Sequence, residues 1–267
     1  MLTELVHEEQ LSALLCKATP SSALRPFIEH YRQTCSDGVA TPIRFLPNIG
    51  FTIRFNLGTS FSIRNEEQSF ELNDHMLIPN NQTWIDEGIF FAIKFRFGLL
   101  PQIKGNNQDG IWNHPVPLRD VLPENFIHSV AAATSFEDRI RLTEEYFLPL
   151  YENNTRMLTK YKVIEEMVNY FTEHNFSSFQ IEKDKSNFVS SKSLQRYFLE
   201  NFGLTPKSVY CILRVRKALE AYFNHSAEFR IYDFDYYDYS HFYKEIKRVV
   251  GLNLPQLKGN EDFRGIA

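Results

Sequence analysis

Two hydrophobic rhythms divide this chain. From about residue 40 to residue 97 the period is two. In FTIRFNL, Phe51, Ile53, Phe55 and Leu57 alternate with Thr52, Arg54 and Asn56, which predicts a half-buried strand ended by Gly58. FSIR follows, and NEEQ reads as a hairpin turn into SFEL. HMLIP and TWID are further short strands. IFFAIKFRF, residues 89–97, alternates again through Ile89, Phe91, Ile93, Phe95 and Phe97. Short strands with polar turns predict a small antiparallel barrel or sandwich. Phe51, Phe55, Phe91, Phe95 and Trp84 are expected to fill its core, with a ligand pocket as the other use of such rings. Arg54, Arg64, Lys94 and Arg96 are expected to face water, and no ligand-binding residue is singled out. Before residue 40, SSALRPFIEHYRQ reads as a short helix or an irregular lead-in.

After PQIKGNNQDG, a loop by composition, the period lengthens to that of a helix. Ser135 caps SFEDRIRLTEEYF, with Asp138 three residues on. The polar stretch YENNTR, 151–156, marks a boundary. A β-rich domain ending in helices is expected over 1–150 and an all-helical one over 157–258, an α+β fold overall.

The helical half repeats itself. SSKSLQRYFLENFG, 190–203, aligns with DYSHFYKEIKRVVG, 238–251, at an offset of 48 residues. Leu194 matches Phe242, Phe198 matches Ile246, Arg196 matches Lys244 and Gly203 matches Gly251. The paired apolar residues are four apart, on one helical face. Ser190 and Asp238 are good N-caps, and each glycine stands where a helix closes in a left-handed residue. Between the copies Thr205 caps TPKSVYCILRVRKALEAYF, and Pro206 takes its first helical position. Val209, Ile212, Arg216, Leu219 and Phe223 share one stripe of that helix. It could space the two units so that their helices enter successive major grooves about 34 Å apart.

The outward faces carry the candidate chemistry. Ser191, Lys192, Gln195 and Arg196 project together from the first helix. Arg and Gln read guanine and adenine edges bidentately. Tyr239, Ser240, Tyr243 and Lys244 project from the second, and Lys207, Lys247 and Arg248 suit phosphates. A solvated face explains one such helix; two copies joined by a capped helix favour a nucleic-acid face.

Composition adjusts this picture little. The 267 residues carry a net charge of −4, which argues against a generic nucleic-acid coat. The charge is split, however. From Arg156 onward Lys and Arg outnumber Asp and Glu by 17 to 14, whereas the preceding part has 12 against 19. Cys16, Cys35 and Cys211 are widely spaced, suggesting neither a disulfide framework nor a zinc cage. With no apolar run of about 18 residues and no basic leader, no membrane partner is expected and the cytoplasm is the expected location. The eight histidines share no ligand spacing, and GxGxxG, P-loop and GxSxG motifs are missing. No catalytic residue, metal or cofactor is therefore predicted, and the chain is not expected to be an enzyme.

LQRYFLENFGLTPKSV and DYSHFYKEIKRVVG together resemble the double helix-turn-helix domain of the AraC/XylS family of bacterial transcription regulators. Leu194, Arg196, Phe198, Gly203 and Pro206 carry the first signature. Asp238, Ser240, His241, Phe242, Lys247 and Gly251 carry the second, and Arg214 and Ala218 suit the linking helix. The likeness spans roughly 160–257. IRFLPNIGFTIRFNLG, FAIKFRFG and WNHPVPLRDVL resemble, more weakly, sensor domains of one branch of that family. The resemblance implies a homodimeric transcription activator with promoter or operator DNA as partner, a small-molecule effector and contact with RNA polymerase. The second unit departs further from the pattern. Its usual alanine and turn glycine are missing, with Asp235 near the glycine. Lys244 and Ile246 replace Arg and Phe, and the proline is delayed to Pro255. Before the first unit, IEKDKSNFVS puts Asp184 where a small residue is usual. Two other readings remain open: a DNA domain that has become a protein-interaction module, and a non-catalytic small-molecule binder.

Overall fold

The computed structural model describes residues 15–34, 42–58, 61–65, 68–72, 74–96, 114–152, 155–173, 189–224 and 228–259. Phe97, the loop 101–110 and Asp184 lie outside them.

Among the described residues ten antiparallel strands form two sheets. They are β1 (Leu15–Ala18), β2 (Ile28–Thr34), β3 (Pro42–Phe45), β4 (Phe51–Asn56), β5 (Phe61–Arg64), β6 (Ser69–Leu72), β7 (Met76–Pro79), β8 (Trp84–Glu87), β9 (Phe90–Phe95) and β10 (Val116–Pro117). One sheet runs β1-β2-β9-β4-β7-β10 and the other β3-β8-β5-β6. The alternation read in the sequence survives, but both faces of β4 are covered. Phe51, Ile53 and Phe55 join Leu77, Phe91, Ile93 and Phe95 in a core with Phe126, Ile127, Val130 and Phe147 from the helices. These aromatic residues are thus core side chains. The other face meets the second sheet, where Trp84 packs with Phe61, Ile63, Met76 and Ile78.

That second face corrects one expectation. Arg54 does not face water: it is 1% exposed. Its Nη2 donates to Asp86 Oδ1 at 2.8 Å across the two sheets, and its guanidinium lies 3.9 Å from the Phe61 ring centre. Gly88 leaves the room, since a Cβ there would stand 2.5 Å from Arg54 Nη2. Lys94 is half-buried, while Arg64 and Arg96 are exposed. A second correction concerns IEHYRQ, which is not helical. It is most of β2, whose ladder to β9 carries a register shift between Ile28 and His30. A bulge of this kind displaces the alternation by one residue and hides the strand. Thirdly, Cys16 is disulfide-bonded. Pairing of β1 with β2 brings residues distant in sequence together, as Cys16 with Gln33, and spacing alone does not reveal it.

Helices follow: α1 (Glu124–Ala132), α2 (Phe136–Glu152), α3 (Thr155–Glu173), α4 (Ser191–Phe202), α5 (Pro206–Asn224), α6 (Tyr239–Val250) and α7 (Leu254–Gly259). Ser135 caps α2 as expected, its Oγ accepting from the Asp138 N–H at 3.0 Å. None of the described helices is long and apolar enough to cross a membrane.

The largest apolar cluster does not stop at residue 150. It runs through Tyr161, Ile164 and Phe171 of α3 and Leu194 and Phe198 of α4 to Val209 and Ile212 of α5. The C-terminal half of α5 belongs to a second cluster. There Val215, Ala218 and Leu219 pack with Ile231, Phe242, Ile246, Val250 and Leu257. Leu46, which follows β3, also joins this second cluster, and Thr83 Oγ1 donates to the Val250 carbonyl at 2.8 Å. The β-rich half therefore touches the end of α6 directly.

Candidate nucleic-acid interface

The local chemistry of α4 explains its limits. Ser190 Oγ accepts from the Ser193 N–H at 3.2 Å, and Gly203 closes the helix at φ 62° with its N–H on the Leu199 carbonyl. A non-glycine residue in that left-handed conformation costs roughly 1–2 kcal/mol. Leu194, Phe198 and Phe202 anchor the inner stripe. Ser191, Lys192, Gln195 and Arg196 are all exposed and lie within two turns of the N-terminus. Arg196 is held loosely, with Nε 3.8 Å from Glu200 Oε1. Glu200 is engaged instead by Lys160 of α3, at 2.5 Å. An exposed, distant pair of this kind contributes little and leaves Arg196 available.

The same construction recurs in α6. Asp238 Oδ1 accepts from the His241 N–H at 2.7 Å, and Gly251 closes the helix at φ 82°. Phe242, Ile246 and Val250 face inward. Tyr239, Ser240, Tyr243, Lys244, Lys247 and Arg248 are exposed. Across the offset of 48, every matched outward position is exposed in both copies, and both matched apolar pairs are buried. Between the units, Thr205 Oγ1 accepts from the Ser208 N–H at 3.2 Å, capping α5, and Lys207 is exposed in its first turn.

One set of residues was not legible as a group. Glu245 occupies the inner side of α6 and is buried. Arg214 of α5 clamps it in a forked pair, Nη2 to Oε1 at 2.7 Å and Nε to Oε2 at 3.0 Å. The guanidinium is flanked by the rings of Tyr236 at 4.6 Å and Tyr210 at 5.0 Å. Burial alone would push the Glu245 carboxyl up; the hydrogen bonds and charge of Arg214 outweigh this and hold it below its ordinary range. Arg248 also donates to Glu245, at 2.9 Å, so this candidate phosphate ligand is tied to the protein. The only sequence signal was an acidic residue on an otherwise apolar stripe.

Asp235 belongs to this group. It is the one non-glycine residue with positive φ among those described, at φ 57° and ψ 33°. It ends the 3-10 turn Ile231–Phe234, and its Oδ2 accepts from the Tyr210 hydroxyl at 3.3 Å. Aspartate thus supplies the left-handed turn that glycine would give and adds a link to α5. Among the described residues no group of three or more His, Cys, Asp or Glu is placed to hold a metal ion.

No known protein family matches the chain, and no curated protein matches it. Solved structures that resemble it include ToxT from Vibrio cholerae, 10% identical over 91% of this chain and 97% of that one, with a TM-score of 0.43. ToxT from Vibrio cholerae O395 is also 10% identical, over 85% and 98%, with a TM-score of 0.45. A third, wild-type ToxT from Vibrio cholerae strain SCE256 with unsaturated fatty acid bound, is 9% identical over 81% and 90%, with a TM-score of 0.39. Likeness at this level bears on neither the site nor the function.

Proposed function

We propose that this chain is a sequence-specific, double-stranded DNA-binding transcription regulator of the AraC/XylS type. The observation that carries the reading is the repeated construction of α4 and α6. Each is capped by a side chain, closed by a left-handed glycine and anchored by two apolar residues four apart. Each exposes the same outward positions. On this reading residues 157–258 bind DNA. Arg196, Gln195 and Lys192 meet base edges, and Lys207 and Lys247 meet phosphates. Residues 1–150 sense a small molecule or hold two copies together. The protein then works in the cytoplasm as a homodimeric activator that also touches RNA polymerase.

The test is enrichment from random duplex DNA by the purified full chain, followed by sequencing. The expected product is a motif with two parts about one duplex turn apart. Binding should also weaken steeply with salt, because phosphate contacts release counterions. Retained DNA with no common sequence, together with a flat salt response, would overturn the reading. That outcome would favour the second reading, a protein-interaction module, for which the tying of Arg248 to Glu245 speaks.

A further inference from the structure

Apolar side chains grouped together on a surface mark a contact site, whereas scattered ones do not. Among the described residues five large apolar side chains are exposed, and four are tyrosines of the second unit. Tyr232 is 71% exposed, Tyr237 86%, Tyr239 50% and Tyr243 47%. Tyr232 and Tyr237 sit on the turn before α6. Tyr239 and Tyr243 sit one helical turn apart on its outward face, their ring centres 5.9 Å apart. The internal repeat gives these two rings a meaning. At the offset of 48, Tyr239 stands where α4 has Ser191, and Tyr243 where α4 has Gln195. The second face has thus exchanged an amide able to read adenine for an aromatic ring. Its positive charge matches that of the first face, since Arg248 is engaged with Glu245 and leaves Lys244 and Lys247 against Lys192 and Arg196.

A duplex presents one apolar group on its major-groove base edges, the C5-methyl of thymine. We propose that α6 reads its half of the operator through thymine methyl groups, packed by the rings of Tyr239 and Tyr243. Lys244 and Lys247 hold the flanking phosphates, and each tyrosine hydroxyl remains free to donate to a neighbouring base acceptor. The two units then read by different chemistry: hydrogen bonds at α4, methyl contact at α6. This inference rests on the DNA-binding reading above.

Replacing thymine by deoxyuridine removes only the methyl group and leaves the protein untouched, so folding does not enter the test. The half-site of α6 is the part of the enriched motif whose sequence preference survives Arg196→Ala. Deoxyuridine there should weaken binding about fourfold for each methyl contacted. The same exchange in the α4 half should change little. Tyr243→Ala should abolish the discrimination at its base, and Tyr243→Phe should keep it. A motif without thymine in the α6 half, or equal binding of the thymine and deoxyuridine duplexes, would overturn the inference and leave the DNA-binding reading standing. No sequence enrichment at all overturns both.

Discussion

The two helix units share a frame and differ in almost everything that frame displays. Both are capped by a short polar side chain and closed by a left-handed glycine. The first packs its inner face with Leu194, Phe198 and Phe202 beside a neutral Asn201, and offers Lys192, Gln195 and Arg196 to its surroundings. The second has a charge pair, Arg214 with Glu245, inside its core, and two tyrosine rings outside it. Caps and i, i+4 anchors fix a helix in place whatever stands on its far side. Outward chemistry can therefore drift while the fold persists, and the second unit shows how far.

The interior difference gives the largest expected effect. Arg214→Ala leaves the Glu245 carboxylate buried without its partner and should cost about 3–5 kcal/mol. Urea unfolding followed by circular dichroism measures it; a loss below about 1 kcal/mol would mean the pair is not holding the second unit. Replacing both members with Met and Leu should recover most of the loss, since apolar substitutes avoid the desolvation of two charges. The outward difference comes next. Arg196→Ala should cost roughly 1–3 kcal/mol of specific DNA binding, and Lys244→Ala less. Gel-shift titrations showing equal losses would erase the contrast between the faces. The shared frame predicts equality: Ser190→Ala and Asp238→Ala should each cost about 1 kcal/mol in the same unfolding experiment.

Acid should separate the units more gently. The Glu245 carboxyl is held below its ordinary 4.5 in the folded chain. A depressed carboxyl stabilises the fold above the unfolded value, and that stability is lost as pH falls below 4.5. The chain should therefore lose thermal stability below pH 4.5. The loss should be smaller in the variant with Met and Leu in place of Arg214 and Glu245. Identical pH profiles for the two proteins would show that Glu245 contributes no pH dependence.

What could be read in advance was local. Caps, terminal glycines and four-residue spacing are set within one helix, so the repeat and its exposed positions were legible. So was the period-two pattern of β4 and β9. The misreadings share a cause, in that they depend on what comes to lie alongside. Alternating polar residues look the same whether they meet water or a second sheet, and Arg54 meets the second sheet. Its partner Asp86 is 32 residues away, and Glu245 lies 31 residues from Arg214. The bulge in β2 hid a strand by breaking its period. Asp235 suits the left-handed turn by its own chemistry, but its tie to Tyr210 depends on another helix.

The place of Leu46 in the second cluster and the bond from Thr83 to the end of α6 have a thermodynamic consequence. Two bodies that share packing and a hydrogen bond share free energy. Whatever alters the segments next to β3 and β8 that carry those residues bears on α6, and the influence runs equally in the other direction. If a molecule settling in the β half changed the affinity of α6 for DNA by some factor, DNA would change the affinity for that molecule by the same factor. A titration of either partner would then report on the other, without the intermediate states ever being seen.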